Sequence, residues 1–130
     1  MASFDHEPVI RITAMPADAN AYGDIFGGWL VGLMDMGAGV VAAHTAKGRA
    51  VTVAMDAVQF LAPVKVGDEV SVYGRLEKIG RTSLTVHVTA WRREHHVDER
   101  TKVTEAMFTF VAIDSEGKPR ALDTGSARTP

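Results

Sequence analysis

Twenty-two consecutive residues, Ile25 to Ala46, contain one charged side chain, Asp35, and open on Phe26-Gly27-Gly28-Trp29. A run this long and apolar folds either as a membrane span or as a helix buried inside a protein. Asp35 near its midpoint weighs against a span, because a carboxylate at the bilayer centre costs about 2.5–3.5 kcal/mol on insertion scales. In a buried helix the same carboxylate is costly to ionise, so it is expected to be paired, neutralised or used for chemistry. Phe26, Leu30, Leu33, Val40 and Ala43 keep roughly helical spacing, and the residues between them are also mostly apolar or glycine. The helix is therefore expected to be buried on nearly all sides, and Lys47-Gly48 supplies a cation and a glycine where it would stop.

On either side of this run the period is two. Ile10 to Ala14 reads as a short strand, and an irregular loop, Met15 to Asp24, leads into the helix. Four longer strands are expected after it: Val51 to Leu61, one around Val70, Val72 and Leu76, one around Leu84, Val86 and Val88, and Val103 to Ile113. Their connections have no room for a crossover helix, so the sheet should be mostly antiparallel. The chain of 130 residues divides into an N-terminal extension (1–8), one α+β domain (9–114) and a polar C-terminal tail (115–130), most of it expected to fray. With 46% hydrophobic and 23% charged residues and a net charge of -2, it has no bulk footprint for nucleic acid or anionic lipid. The absence of cysteine excludes disulfides, zinc-thiolate sites and thiol nucleophiles, and fits a cytoplasmic protein with no basic-then-apolar leader.

A long central helix wrapped by a curved, mostly antiparallel sheet is the layout of a hotdog fold. Met15-Pro16-Ala17-Asp18-Ala19-Asn20, Gly23 to Trp29, Met34-Asp35-Met36-Gly37, Phe60 to Asp68 and Gly80-Arg81-Thr82-Ser83, in this order, resemble the YciA-type acyl-CoA thioesterases over roughly residues 10–122. The resemblance implies hydrolysis of acyl-CoA, with coenzyme A as substrate moiety and product and no cofactor required. It also implies a homodimer at minimum, assembled further into a tetramer or hexamer, with neither membrane nor nucleic acid as partner.

Thioester hydrolysis needs an attacking water or carboxylate, donors for the developing oxyanion and a grip on the carrier. Gly27 and Gly28 sit where the helix should begin, so their N–H groups lack helical acceptors and carry the positive end of the dipole. Two glycines at a helix–sheet junction can equally serve close packing. Asp35 lies eight residues after Gly27, about 12 Å along a helix. A carbonyl held at Gly27 is thus out of reach of Asp35 on the same helix, and two antiparallel helices across a two-fold axis would bring the groups together. Asp35 as general base and Asp35 as nucleophile forming a mixed anhydride both need an ionised carboxylate, and both stay open, with the base preferred. Asn20 and Asp24 are candidates to orient water or substrate, or else turn and cap residues. Thr52 is a candidate to bind the attacking water, or else a strand threonine. Gly80, Arg81, Thr82 and Ser83 form a loop with a guanidinium, two hydroxyls and free N–H groups, suited to the phosphates of coenzyme A; Lys65, Lys102 and Arg120 are weaker candidates.

Other readings compete. Gly37-Ala38-Gly39-Val40-Val41-Ala42, with Asp56 beyond it, matches a dinucleotide-binding fingerprint, but the alternating helices of a doubly wound sheet are missing. The histidines show no metal-ligand spacing, and there is no Gly-x-Ser-x-Gly elbow. A hotdog dehydratase or hydratase, or a non-catalytic acyl-CoA sensor, would share the fold; dehydratases generally pair a histidine with an acid, and Phe26 stands before the glycines.

Overall fold

Period-two alternation selects the inner face of the sheet. Leu84, Val86, Val88 and Ala90 on one strand, with Phe108, Phe110 and Ala112 on the next, are sealed from solvent against the central helix. The computed structural model describes residues 7–122. In chain order it contains β1 (Ile10–Thr13), a 3-10 turn (Pro16–Asp18), α1 (Gly27–Ala46), β2 (Ala50–Phe60), β3 (Glu69–Ile79), β4 (Ser83–Arg93) and β5 (Thr101–Ala112). The strands form one sheet in the order β1-β3-β4-β5-β2, and every pairing is antiparallel. Register shifts in β2, β3 and β4 bend the sheet around α1, which packs against β2 to β5. This is the hotdog fold.

Three features depart from the sequence reading. First, the sheet buries one side of α1 through Leu30, Leu33, Met34, Gly37, Ala38, Ala42 and Ala46, and leaves Gly28, Gly32, Met36 and Val40 open. Met36 and Val40 are 58% and 57% exposed, so a single copy does not bury the helix on nearly all sides. All-round apolarity reports burial in an assembly, whichever chains supply the cover. β2 adds to this uncovered surface: it is an eleven-residue edge strand with Val51, Val53 and Met55 exposed.

Second, the left-handed residue that ends α1 is Lys47 (φ 55°), not Gly48. Gly48 instead gives room to Arg120, whose Nη2 would lie 2.7 Å from a Cβ there and would have to shift. That guanidinium donates to Ala46 O at 2.9 Å and to Ile113 O at 3.1 Å, placing a cation at the negative end of the helix dipole.

Third, the first half of the expected tail is structured. Asp114 to Lys118 make a turn, Arg120 N donates to Ala112 O, and Leu122 N donates to Arg81 O. The rest of the expected tail, and all but the last two residues of the N-terminal extension, lie outside the described residues.

The test for a membrane span is met by α1 on length and composition. Its buried side is nevertheless the core of the domain. The glycines of the dinucleotide-binding fingerprint fall inside α1 with no strand before them, which removes that reading. Asp56 stands exposed on β2 between two register shifts, beside Ala57, whose φ of 53° is unusual for alanine.

Candidate active site

β2 runs back along α1, so residues late in the helix face early strand residues, and the helix start faces the strand's end. Thr52 Oγ1 donates to Asp35 Oδ1 at 2.6 Å, and Phe60 reaches Gly27, where a Cβ would meet its ring at 3.1 Å. Asp35 is half-buried on the border of the open helix side, and among the described residues its Oδ2 takes no hydrogen bond. The Thr52 hydroxyl thus gives its proton to the carboxylate, while its oxygen lone pairs stay available to accept from a water.

The helix starts at Gly27, with Phe26 as its N-cap in an extended conformation and no side-chain cap. Trp29 and Leu30 donate to Phe26 O, so the N–H groups of Gly27 and Gly28 precede the first helical bond. The two glycines differ. Packing against Phe60 explains Gly27, whereas a Cβ at Gly28 would meet nothing within 4 Å. Packing within the protomer does not require glycine at 28.

The loop before the helix holds itself together. Asn20 Oδ1 accepts from Tyr22 N at 2.8 Å and from Asp24 N at 3.1 Å, and Asn20 N donates to Asp24 O. The Asp24 carboxylate is ion-paired with Lys65. These bonds favour the turn reading of Asn20 and Asp24, and they remove Lys65 as a free cation. Lys102 and Arg120 are also engaged: Lys102 Nζ donates to Glu105 Oε1 at 2.8 Å, and Arg120 caps the helix. Lys102, followed by His87 at 2.6 Å, holds the Glu105 carboxyl below the ordinary carboxylate range, which makes this cluster an ion-pair network on the sheet.

Arg81 is exposed, and among the described residues its side chain has no partner. Its loop is fixed by Gly80 N to Ser83 O at 2.7 Å and by Thr82 O and Arg81 O, which accept from Ala112 N and Leu122 N. Gly80 fits closely here, because a Cβ would stand 2.8 Å from Ser83 Oγ and the hydroxyl would have to turn away. No group of three or more potential metal ligands occurs among the described residues. His95 and His96 lie in the β4–β5 loop, not on a strand.

Beside Gly27 an open cleft of about 430 Å³ is lined by Ile25, Leu30, Phe60, Leu61, Ala62, Pro63 and Val64. Sequence reasoning missed it. Only the register that brings the end of β2 to the start of α1 turns Phe60 to Val64 into a wall.

A helix N-terminus with free N–H groups, an aspartate further along the same helix and a hotdog sheet define a class, and comparison with known proteins agrees with it. Residues 22–99, more than half of the chain, match the family model described as the thioesterase superfamily. A protein of Zymomonas mobilis, described as an uncharacterized acyl-CoA thioester hydrolase, is 55% identical over 113 residues, covering 87% of this chain and 76% of that one. The acyl-CoA thioester hydrolase YciA of Escherichia coli is 49% identical over 117 residues, covering 88% and 89%. The crystal structure of a hexameric thioesterase from Yersinia pestis matches with a TM-score of 0.87 at 50% identity, covering 92% of this chain and 97% of that one. The chain belongs to the thioesterase superfamily and, within it, to the YciA-type hotdog acyl-CoA thioesterases: it is a thioester hydrolase.

Proposed function

We propose that the protein hydrolyses acyl-CoA at a site composed from two copies of the chain. Asp35 of one copy acts on the thioester carbonyl, and the Gly27 and Gly28 N–H groups of the other receive the oxyanion. The observation that carries this is the 2.6 Å bond from Thr52 to Asp35 Oδ1. It fixes the carboxylate and leaves Oδ2 as the acting oxygen, at the border of the side of α1 that one protomer does not cover.

In the base mechanism Oδ2 takes a proton from water as the water oxygen bonds to the carbonyl carbon. The oxyanion then collapses, the C–S bond breaks, and the thiolate leaves and is protonated. Donors fixed before the reaction cost no reorganisation when the charge develops, which favours the helix start over flexible side chains. Gly28 is in keeping with this role, because no packing inside the protomer accounts for its glycine. The open stripe Gly28, Gly32, Met36 and Val40, with the apolar edge β2, supports a second copy as the cover. Further assembly of dimers follows the hexameric state stated for the Yersinia pestis relative.

The direct test is thiol release from acyl-CoAs of increasing chain length by the purified protein, which adds no thiol of its own. Turnover is expected. Binding without turnover on any chain length would move the reading to a dehydratase or a sensor. Thr52→Val should lower kcat about 10- to 100-fold with little change in KM, the scale on which partners that orient a reacting group act. Thr52→Ser should restore it. Equal loss in both variants would mean that the strand threonine matters for packing alone.

Arg81 is a cation on a rigid loop with no side-chain partner among the described residues, and a charge-assisted bond to phosphate is its proposed role. Arg81→Ala should raise KM for acyl-CoA about tenfold and spare acyl-N-acetylcysteamine thioesters, which lack the nucleotide. The same effect on both substrates would place Arg81 in chemistry or folding.

A further inference from the structure

We propose that the cleft beside the helix N-terminus receives the acyl chain of the substrate and that Phe60 sets the chain length it accepts; this rests on the reading of the Gly27 and Gly28 N–H groups as the oxyanion site. A thioester carbonyl has two substituents, the acyl chain and the pantetheine sulfur, and the cleft that begins at Gly27 can hold one of them. Its chemistry selects which. The lining side chains, among them Ile25, Leu30, Phe60, Leu61 and Val64, are hydrocarbon. Two backbone donors on its border are already used, since Leu61 N donates to Val103 O and Ile25 N to Val64 O, and Pro63 has none.

Pantetheine carries two amides that would lose water against these side chains without a side-chain partner, a cost a hydrocarbon chain does not meet. Lys65, the next cation along the chain, is paired with Asp24, so nothing in this wall recruits the nucleotide end either. The acyl chain is the substituent that fits.

Phe60 controls the entrance. Its backbone is fixed as the last residue of β2, paired with Thr104 of β5, while the residue is 56% exposed and its ring lies against Gly27. The ring therefore stands between the carbonyl position and the rest of the cleft. Its size decides how much chain can pass.

The test is kcat/KM on acyl-CoAs and on the matching acyl-N-acetylcysteamine thioesters, from two to sixteen carbons. The variants are Phe60→Ala, the milder Phe60→Leu and Phe60→Trp, each checked for wild-type assembly size and thermal midpoint. For the wild type, kcat/KM should rise about fourfold per methylene and then level off as the cleft fills. Phe60→Ala should raise the ratio of long-chain to short-chain kcat/KM roughly fifteenfold, the gain from two further methylenes. Phe60→Leu should shift it the same way by less, and Phe60→Trp should reverse it. The shift must be the same on both substrate series, because the acyl part is common to them.

A change uniform across chain lengths in the folded variants, no change at all, or a shift on the coenzyme A series alone would overturn the assignment. Gly28→Leu, run on the same panel, separates the two ideas. A loss at every chain length with an unshifted Phe60 profile would leave the oxyanion reading standing and remove the acyl site. A moved profile with a fully active Gly28→Leu would do the opposite.

Discussion

Asp35→Asn is expected to lower kcat on every acyl-CoA by about 10³-fold, the middle of the range for a positioned proton-transfer group. Asparagine has nearly the shape of aspartate, and its amide oxygen can still accept from Thr52 Oγ1, so the contact at 2.6 Å in the wild type keeps an equivalent. Assembly, thermal midpoint and acyl-CoA affinity should be preserved. What is lost is the lone pair that accepts a proton or attacks the carbonyl. A purified variant within tenfold of wild type would end the assignment of Asp35. Single turnover of the wild type in ¹⁸O-labelled water would separate the two mechanisms. A base delivers the label to the product acid directly, whereas an anhydride opened at the aspartyl carbon leaves it on Asp35.

The sequence carried the fold well because its two signals were strong and mutually exclusive. The run from Ile25 to Ala46, uncharged except for Asp35, pointed to one helix, which forms over Gly27–Ala46, and the alternating strands after Gly48 had to pair without crossovers. The site was legible where chemistry is rare. A lone carboxylate in an apolar helix and a glycine pair at its start stand out against any background.

Three things were hidden, for one physical reason: each depends on a contact between residues far apart in sequence. Thr52 meets Asp35 because β2 turns back along α1, and a single threonine in a strand gives no sign of that. Lys65, Lys102 and Arg120 look like free cations until Asp24, Glu105 and the carbonyl of Ala46 are placed beside them. Phe60 to Val64 look like the end of a strand and a proline loop until the helix start is laid against them. The expected burial of α1 went wrong in the other direction, because an apolar pattern does not state which chain provides the cover.

Gly28→Leu should be as damaging as loss of an oxyanion donor, about 10²- to 10³-fold in kcat, because its side chain would occupy the space in front of the Gly27 and Gly28 N–H groups. Within one protomer there is room at this position, since a Cβ at 28 meets nothing within 4 Å, and leucine is the better helix former. The informative experiment co-expresses Gly28→Leu and Asp35→Asn chains under different tags and isolates hybrids. In a composite dimer one of the two hybrid sites carries both lesions, and the other pairs an intact Asp35 with intact Gly27 and Gly28. Hybrid dimers should therefore regain about half of wild-type activity, and a random one-to-one mixture of dimers roughly a quarter, although each parent is silent. If both groups acted within one chain, every chain in the hybrid would carry a lesion and activity would stay at the parental level. Native mass spectrometry on the assayed sample makes the silent outcome decisive, since hybrids proven present but inactive would sink the shared site. The rise of about 12 Å between Gly27 and Asp35 makes recovery the expected result, because no thioester carbonyl can touch both ends of that distance at once.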